Sequence, residues 1–144
     1  MTIKEENDVK KRFLNRYKNL CYKLRSLQEQ EIAIKAEMES TRAIEFDDMP
    51  KGSMVKTDLS DQMIKLERIV ADIDAIKEER VTAMAKIEEL ISSVEDGKES
   101  KLLHDRYILG KSWESIASEI HYTYRHTLTK HGDALKHIDI NDCI

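Results

Sequence analysis

The sequence predicts an all-α protein, in which a long antiparallel, coiled-coil-like helical hairpin precedes a three-helix module of the helix-turn-helix type. With one proline and four glycines in 144 residues, few positions break a helix. Apolar residues recur every three or four positions over two long stretches, and three shorter amphipathic stretches follow them. The Asp96-Gly97 pair separates the two patterns, so we expect domains over 1–97 and 98–144.

The first long helix is expected over about 8–44. Its apolar residues step by three and four, with Glu31 as a polar break: Phe13, Tyr17, Leu20, Leu24, Leu27, Ile34 and Met38. A period near 3.5 over this length is typical of a coiled-coil seam. Seven cations lie from Lys10 to Arg25, and no acid occurs between Lys10 and Gln28. They form either a solvated helix face or a second phosphate-contacting surface, and the sequence leaves both open.

Residues 45–57 are expected to form the loop of the hairpin, because Pro50 disfavours helix at Met49 and Gly52 extends the break. The second helix is expected over about 58–96. Its stripe is Leu59, Met63, Leu66, Val70, Ile73, Ile76, Met84, Ile87, Leu90, Ile91 and Val94. Matching lengths and a short link favour antiparallel pairing. Two helices leave apolar flanks uncovered, so we expect a homodimer through the hairpin.

Three short helices are expected between Ser100 and Ile138. Gly110 suits a left-handed end for the first, Ser112 can cap the second, and Thr123 can cap the third. The second carries the stripe Trp113, Ile116, Ala117 and Ile120, and the third carries Thr127, His131, Ala134 and Ile138 with Leu128 and Leu135 beside them. The turn between them is so short that they must cross steeply, which is the helix-turn-helix arrangement. The third helix then projects its first turns outward as a recognition helix.

The same stretch carries a resemblance. It lies in Ser112–Ala117 (SWESIA), Tyr122–Arg125 (YTYR), His131-Gly132 and Ala134-Leu135. These segments resemble the ArpU/RinA-type family of small late-gene activators from phages of Gram-positive bacteria. The C-terminal module of that family is similar to region four of bacterial sigma factors, which contacts the −35 promoter element. The resemblance is best over residues 99–138 and is weaker, as pattern and layout, over 10–95.

The resemblance implies which residues contact DNA. The positions that face bases in sigma-like modules are those of Tyr124, Arg125, Leu128 and Thr129. His126, Lys130 and Lys136 are placed to reach phosphates, and Ser112 and Trp113 would meet the backbone across the groove. For Trp113, packing in the core is the alternative.

The resemblance also implies a function and partners. It predicts a transcriptional regulator, an activator of phage late genes, that binds double-stranded DNA at a promoter in the bacterial cytoplasm. The hairpin would contact host RNA polymerase or a second copy of the chain. No cofactor is expected.

Charge is distributed unevenly along the chain. The formal net charge is −4, and residues 43–98 carry eight Lys/Arg against fourteen Asp/Glu. Between His121 and His137, Arg125, Lys130 and Lys136 stand against the single acid Asp133. Because binding depends on a local patch more than on total charge, this distribution permits DNA binding.

Neither an enzyme nor a metal site is expected. His121, His126, His131 and His137 are spaced by five, five and six, which scatters them around a helix. The pairs Asp58/Asp61 and Asp72/Asp74 have no pocket-forming partners. Cys21 and Cys143 form no disulfide framework, and no apolar run is long enough for a membrane span.

A structural or adaptor protein is the alternative function. In that case the hairpin binds a protein partner, and the helix-turn-helix fold does not contact bases. Thr127, Lys130 and the net acidity favour the adaptor, whereas Arg125 and the acid-free basic run favour DNA binding.

Overall fold

In the computed structural model the chain is all-helical, as predicted, over the residues that the structure describes: 2–46 and 53–140, with side chains for 2–43 and 58–140. Six helices and no strand occur in these stretches. They are α1 (Ile3–Leu14), α2 (Arg16–Phe46), α3 (Ser53–Ser92), α4 (Gly97–Tyr107), α5 (Trp113–Ile120) and α6 (Tyr124–Lys136). None of the helices described combines the length and the apolar character needed to cross a membrane.

The N-terminal helix begins before its predicted start at residue 8. Thr2 and Glu5 form a capping box: the Thr2 hydroxyl accepts the Glu5 N–H at 3.2 Å, and the Glu5 carboxylate accepts the Thr2 N–H at 3.0 Å. Two amides are satisfied reciprocally, so the helix starts at Ile3. Asn15, with ψ of −7°, then interrupts the helix for one residue. The predicted single helix over 8–44 is therefore two helices, α1 and α2.

The predicted loop over 45–57 is too long at both ends. Residues 45 and 46 belong to α2, and residues 53–57 belong to α3. The remainder of that loop, 47–52 with Pro50 and Gly52, lies outside the described residues. Residues 45–46 and 53–57 continue the two helices because their helix propensity outweighs the effect that we expected from Pro50.

Asp96 begins a helix, and its predicted role at the end of one is wrong. Its carboxylate accepts the N–H of Lys98 at 2.9 Å and that of Glu99 at 3.1 Å, which caps α4. The preceding helix, α3, has already ended at Ser92. An aspartate side chain accepts hydrogen bonds from the free amides at a helix N-terminus, and the positive end of the helix dipole stabilises its negative charge. Both effects favour Asp96 at the start of a helix.

The chain divides into two compact units. Unit 1 takes Met1–Leu20 and Arg80–Ile144, and unit 2 takes Cys21–Glu79. The predicted boundary between 97 and 98 therefore lies inside unit 1. Since α4–α6 share their unit with α1, residues from the first predicted domain join them.

Unit 2 consists of parts of α2 and α3 that lie beside each other. Side chains of both helices line one shallow groove, with Leu27 and Gln30 from α2 and Asp72 and Ile76 from α3. The predicted stripe of α2 is buried here at Leu24, Ile34 and Met38.

The stripe of α3 differs from the prediction in unit 2. Met63 and Val70 are 43% and 40% exposed, although both were expected in the seam. The covered side keeps the predicted Leu59, Leu66, Ile73 and Ile76 and adds Gln62 and Ile69. A single neighbouring helix buries only a narrow stripe, so apolar residues at its edge stay in contact with solvent.

Unit 1 has a core to which helices from both ends of the sequence contribute. The fully buried residues include Leu14 of α1, Ile87 of α3, Leu102 and Leu103 of α4, Ile116 of α5, and Leu135 of α6. The last helix, α6, packs against α1, α4 and α5. The ammonium of Lys10 donates to the Leu135 carbonyl at 2.8 Å, which places a cation at the C-terminal end of α6.

Candidate nucleic-acid interface

The connection between α5 and α6 is a three-residue turn, His121–Thr123. His121 adopts the left-handed conformation, with φ of 60° and ψ of 37°, and its N–H donates to the Ala117 carbonyl. The Tyr122 N–H donates to the same carbonyl at 3.0 Å. Histidine is among the side chains that tolerate this region of φ/ψ space. The turn thus closes α5 without a glycine.

Side-chain caps fix the starts of both helices, as the sequence predicts. The Ser112 hydroxyl accepts the Ser115 N–H at 3.2 Å, and the Thr123 hydroxyl accepts the His126 N–H at 3.1 Å. Ser112 is thus engaged within its own helix through its side chain. Earlier in the chain, Gly110 has the expected positive φ, 70°.

The buried side of α6 is the side that the sequence predicts. Thr127, His131, Ala134 and Leu135 are buried, and the Thr127 hydroxyl donates to the Thr123 carbonyl at 2.9 Å. That bond satisfies the one polar group that a threonine brings into the core. The burial of these four residues fixes which side of α6 remains open to solvent.

The outer side of α6 carries all four residues that were predicted to face bases. Arg125 and Thr129 are exposed, Tyr124 is 48% exposed and Leu128 is 38% exposed. The Thr129 hydroxyl donates to the Arg125 carbonyl at 3.2 Å, so its proton is used inside the helix. Within the stretches described, the guanidinium of Arg125 has no carboxylate within 4.0 Å, which leaves its donors available.

Lys136 lies on the same outer side, nearer the C-terminal end of α6. Its ammonium is 3.8 Å from the Asp133 carboxylate, and the two side chains are 56% and 50% exposed. An exposed ion pair of this length contributes little free energy and is readily exchanged for another anion. Lys136 is therefore able to turn toward a phosphate.

Lys130 lies on a different flank of α6, against the start of α4. Its ammonium is 3.4 Å from the Asp96 carboxylate and 3.6 Å from that of Glu99, whose side chain is buried. Partial burial lowers the pKa of Lys130, but the two carboxylates outweigh it, and the net result is a raised pKa. Lys130 is charged, and protein groups already compensate that charge.

His126, the remaining predicted phosphate ligand, lies on this flank too. Its ring stacks on that of Tyr122, with centroids 4.2 Å apart and planes within 5°. The ammonium of Lys98 lies 5.2 Å from the Tyr122 centroid on the same small cluster. His126 therefore has an intramolecular packing partner.

Trp113 packs against the core rather than projecting into solvent. Its half-buried ring lies 4.6 Å from the His131 ring, and the Arg106 guanidinium lies over it at 4.4 Å. The first contact places the indole against α6, and the second places it against α4. These contacts match packing in the core, which the sequence left open as the alternative for Trp113.

Below Trp113 lies a buried polar pair that the sequence did not predict. The Tyr107 hydroxyl and His131 Nε2 are 2.6 Å apart, and both side chains are at most 5% exposed. Burial, with Lys11 and Arg106 as nearby cations, lowers the pKa of His131 to about 4. Burial also raises the pKa of Tyr107 above its usual range. At neutral pH the imidazole is neutral and shares one hydrogen bond with the phenol.

The stability of unit 1 should therefore fall as the pH is lowered from 6.5 toward about 4. Between pH 6.5 and about 4 the unfolded chain binds a proton at His131 that the folded chain excludes, while above 6.5 this group has no effect. We expect the free energy of unfolding to drop by about 2 kcal/mol between pH 7 and pH 5 from this residue alone. Urea unfolding followed by the fluorescence of Trp113, the single tryptophan, measures it.

His131→Gln is the matched control for this dependence, since glutamine keeps a hydrogen-bonding group for Tyr107 and cannot titrate. Carboxylates contribute equally to both proteins and cancel in the comparison. The variant should lose less stability than the unmodified chain between the two pH values. Parallel losses would show that His131 titrates normally in the folded state.

Sequence reasoning missed the charged residues that hold α4 in place. Glu99 is buried and its carboxylate lies 2.7 Å from His137 Nδ1, while buried Asp105 lies 2.7 Å from the Lys101 ammonium. An acid three residues after Asp96 was an available signal, because Asp-x-x-Glu is a capping-box pattern. His137, the partner of Glu99, lies too far along the chain for a local pattern to find, whereas Lys101 lies four residues before Asp105 and fits the i, i+4 pairing rule.

No group of three or more His, Cys, Asp or Glu side chains in the described stretches is arranged to hold a metal ion. Comparison with known proteins gives no match to a protein-family model, to a curated protein or to a solved structure. Function therefore has to be argued from the side chains of α5 and α6.

Proposed function

We propose that this chain is a DNA-binding transcriptional regulator in which α5, the turn 121–123 and α6 act as a helix-turn-helix. One observation carries the proposal. The outer side of α6 presents Arg125, without an ion pair in the stretches described, beside the exposed side chains of Tyr124, Leu128 and Thr129. A guanidinium fork with five donors suits the paired acceptors of guanine in the major groove.

In this proposal α6 enters the major groove and Arg125 supplies the main base contact. Tyr124, Leu128 and Thr129 face neighbouring bases, and Lys136 binds a phosphate. Lys130 and His126 contribute less, because Asp96, Glu99 and Tyr122 already engage them. Trp113 supports α5 from within, and the amides after Ser112 face the DNA backbone.

The resemblance to ArpU/RinA-type regulators adds a biological role to the proposal. It favours a phage late-gene activator that works in the bacterial cytoplasm at a promoter, with host RNA polymerase as a partner. Unit 2 would form a helical hairpin that either contacts the polymerase or pairs with a second copy. The exposed apolar side chains of unit 2 support the pairing: Tyr22, Ile32, Met63, Ile64 and Val70.

A structural or adaptor protein is the second candidate. The observation that favours it is the pairing of cations with acids inside unit 1: Lys130 with Asp96 and Glu99, and Lys111 with Glu119 at 2.9 Å. Cations that already have partners release fewer counterions on DNA, which weakens the electrostatic part of binding.

Selection from a random duplex library, followed by fluorescence polarisation at 50 and 200 mM salt, tests the function. We expect one selected duplex to bind about 10³-fold more tightly than its scrambled control. Affinity for both duplexes should fall as salt rises, because phosphate contacts release counterions. Equal affinity for the two duplexes at both salt concentrations would favour the adaptor function.

A further inference from the structure

Leu128 is a partly exposed apolar side chain at the edge of the buried side of α6. Leucine in an amphipathic helix ordinarily faces the core, as Leu135 does at 0% exposure, yet Leu128 is 38% exposed. Tyr124, one turn earlier, is 48% exposed. Residues four apart on a helix are neighbours, so the two side chains together form a small apolar surface. It lies beside Arg125 on the outer side of α6.

We propose that Leu128 contacts the C5-methyl group of a thymine, and so makes α6 selective for a thymine close to the guanine that Arg125 binds. The inference rests on the proposed function and adds the identity of a second base. In the major groove the thymine methyl is the one apolar group that base pairs present. An exposed leucine lacks donors and acceptors, so this is the base feature that it can recognise.

Helix geometry sets the distance between the two bases. Leu128 lies three residues after Arg125, which is about 4.5 Å along the axis of α6. Successive base pairs are about 3.4 Å apart. The two side chains therefore address base pairs that are one or two steps apart. The selected site should contain a thymine within two base pairs of the guanine on either strand.

Thr129, the residue after Leu128, does not compete for this thymine. The Thr129 hydroxyl donates its proton to the Arg125 carbonyl, so it offers no donor to the thymine O4 acceptor. Discrimination at this base pair then rests on the methyl group. Cytosine, which lacks the methyl group, should be disfavoured at the same position.

The experiment replaces thymine with deoxyuridine, one position at a time, in the selected duplex. Deoxyuridine keeps every hydrogen-bonding group and removes only the methyl. Burial of one such group is worth about a 3- to 5-fold change in affinity, so we expect one substitution to weaken binding by that factor. Substituting 7-deazaguanine, which lacks the N7 acceptor, locates the guanine that Arg125 binds.

Leu128→Ala completes the test. On the unmodified duplex the variant should bind more weakly, and it should no longer distinguish thymine from deoxyuridine at the sensitive position. Leu109→Ala is the matched control, since Leu109 is 56% exposed and lies outside α6; it should keep the full discrimination. Leu109 is 56% and Leu128 38% exposed, so neither truncation removes a fully buried side chain.

The outcomes separate this inference from the proposed function. If the protein prefers its selected duplex but no deoxyuridine weakens binding, the methyl contact is wrong and the regulator function stands. The methyl contact is also wrong if Leu128→Ala keeps the discrimination. If no duplex is preferred at either salt concentration, the regulator function fails, and with it the inference.

Discussion

Substituting Arg125 with alanine is expected to weaken binding to the selected duplex about 5- to 150-fold. A bidentate contact between arginine and guanine is worth about 1–3 kcal/mol of discrimination, which converts to that range. Arg125 is exposed and has no ion pair in the stretches described, so helix content and the thermal midpoint should change little. Polarisation against the selected and the scrambled duplex measures the loss, and the scrambled duplex should lose far less.

Arg125→Lys is the matched variant, because it keeps the charge and loses the planar fork. It should bind the scrambled duplex nearly as well as the unmodified chain and still lose most of the preference for the selected one. Lys136→Gln provides the opposite control: it should weaken both duplexes alike and reduce the salt dependence by about one counterion. An equal loss on both duplexes in Arg125→Ala would assign Arg125 to the phosphates.

The largest stability effect is expected from Leu14→Ala, which should lower the free energy of unfolding of unit 1 by about 2–5 kcal/mol. Leu14 is 0% exposed and belongs to one apolar cluster with Leu102, Leu103 and Leu135. Truncating a fully buried leucine removes its transfer free energy and leaves a cavity. Trp113 lies in the same unit, so its fluorescence during urea unfolding reports the change.

Ile3→Ala is the control for Leu14→Ala, as it shortens an apolar side chain of the same helix that is 64% exposed. That variant should stay within about 0.5 kcal/mol of the unmodified chain. An unchanged Trp113 transition in Leu14→Ala would mean that α1 unfolds independently of α4–α6, and that the predicted boundary near residue 97 describes folding better.

The ends and inner faces of α5 and α6 could be predicted, because the signals that set them are local. Ser112 and Thr123 each lie three residues before the amide that they cap, and the stripe from Ile116 to Ile120 repeats within one helix. Local signals also suffice for the left-handed Gly110. The candidate base-facing residues could be named for the same reason, since the buried side of α6 defines the exposed one.

Contacts between distant parts of the chain could not be predicted. Lys10 was grouped with the basic run, yet its ammonium binds the Leu135 carbonyl; Lys130 was assigned to phosphates, yet it lies between Asp96 and Glu99. A charge pattern shows that a cation is present, but its partner depends on which helices pack together. Met63 and Val70 were misplaced for a related reason, since the width of a buried stripe depends on the number of neighbouring helices.

The bond between Lys10 and the Leu135 carbonyl joins residues 125 positions apart, and this has a consequence for biosynthesis. A ribosome synthesises α1 long before α6, but the surface on which α1 packs includes α6. During translation, Leu14 and its apolar neighbours have no permanent partner and are open to chaperones. Closing so long a loop also slows folding relative to the local pairing of α5 with α6. Unit 1 can therefore be completed only after the C-terminal helix has left the exit tunnel.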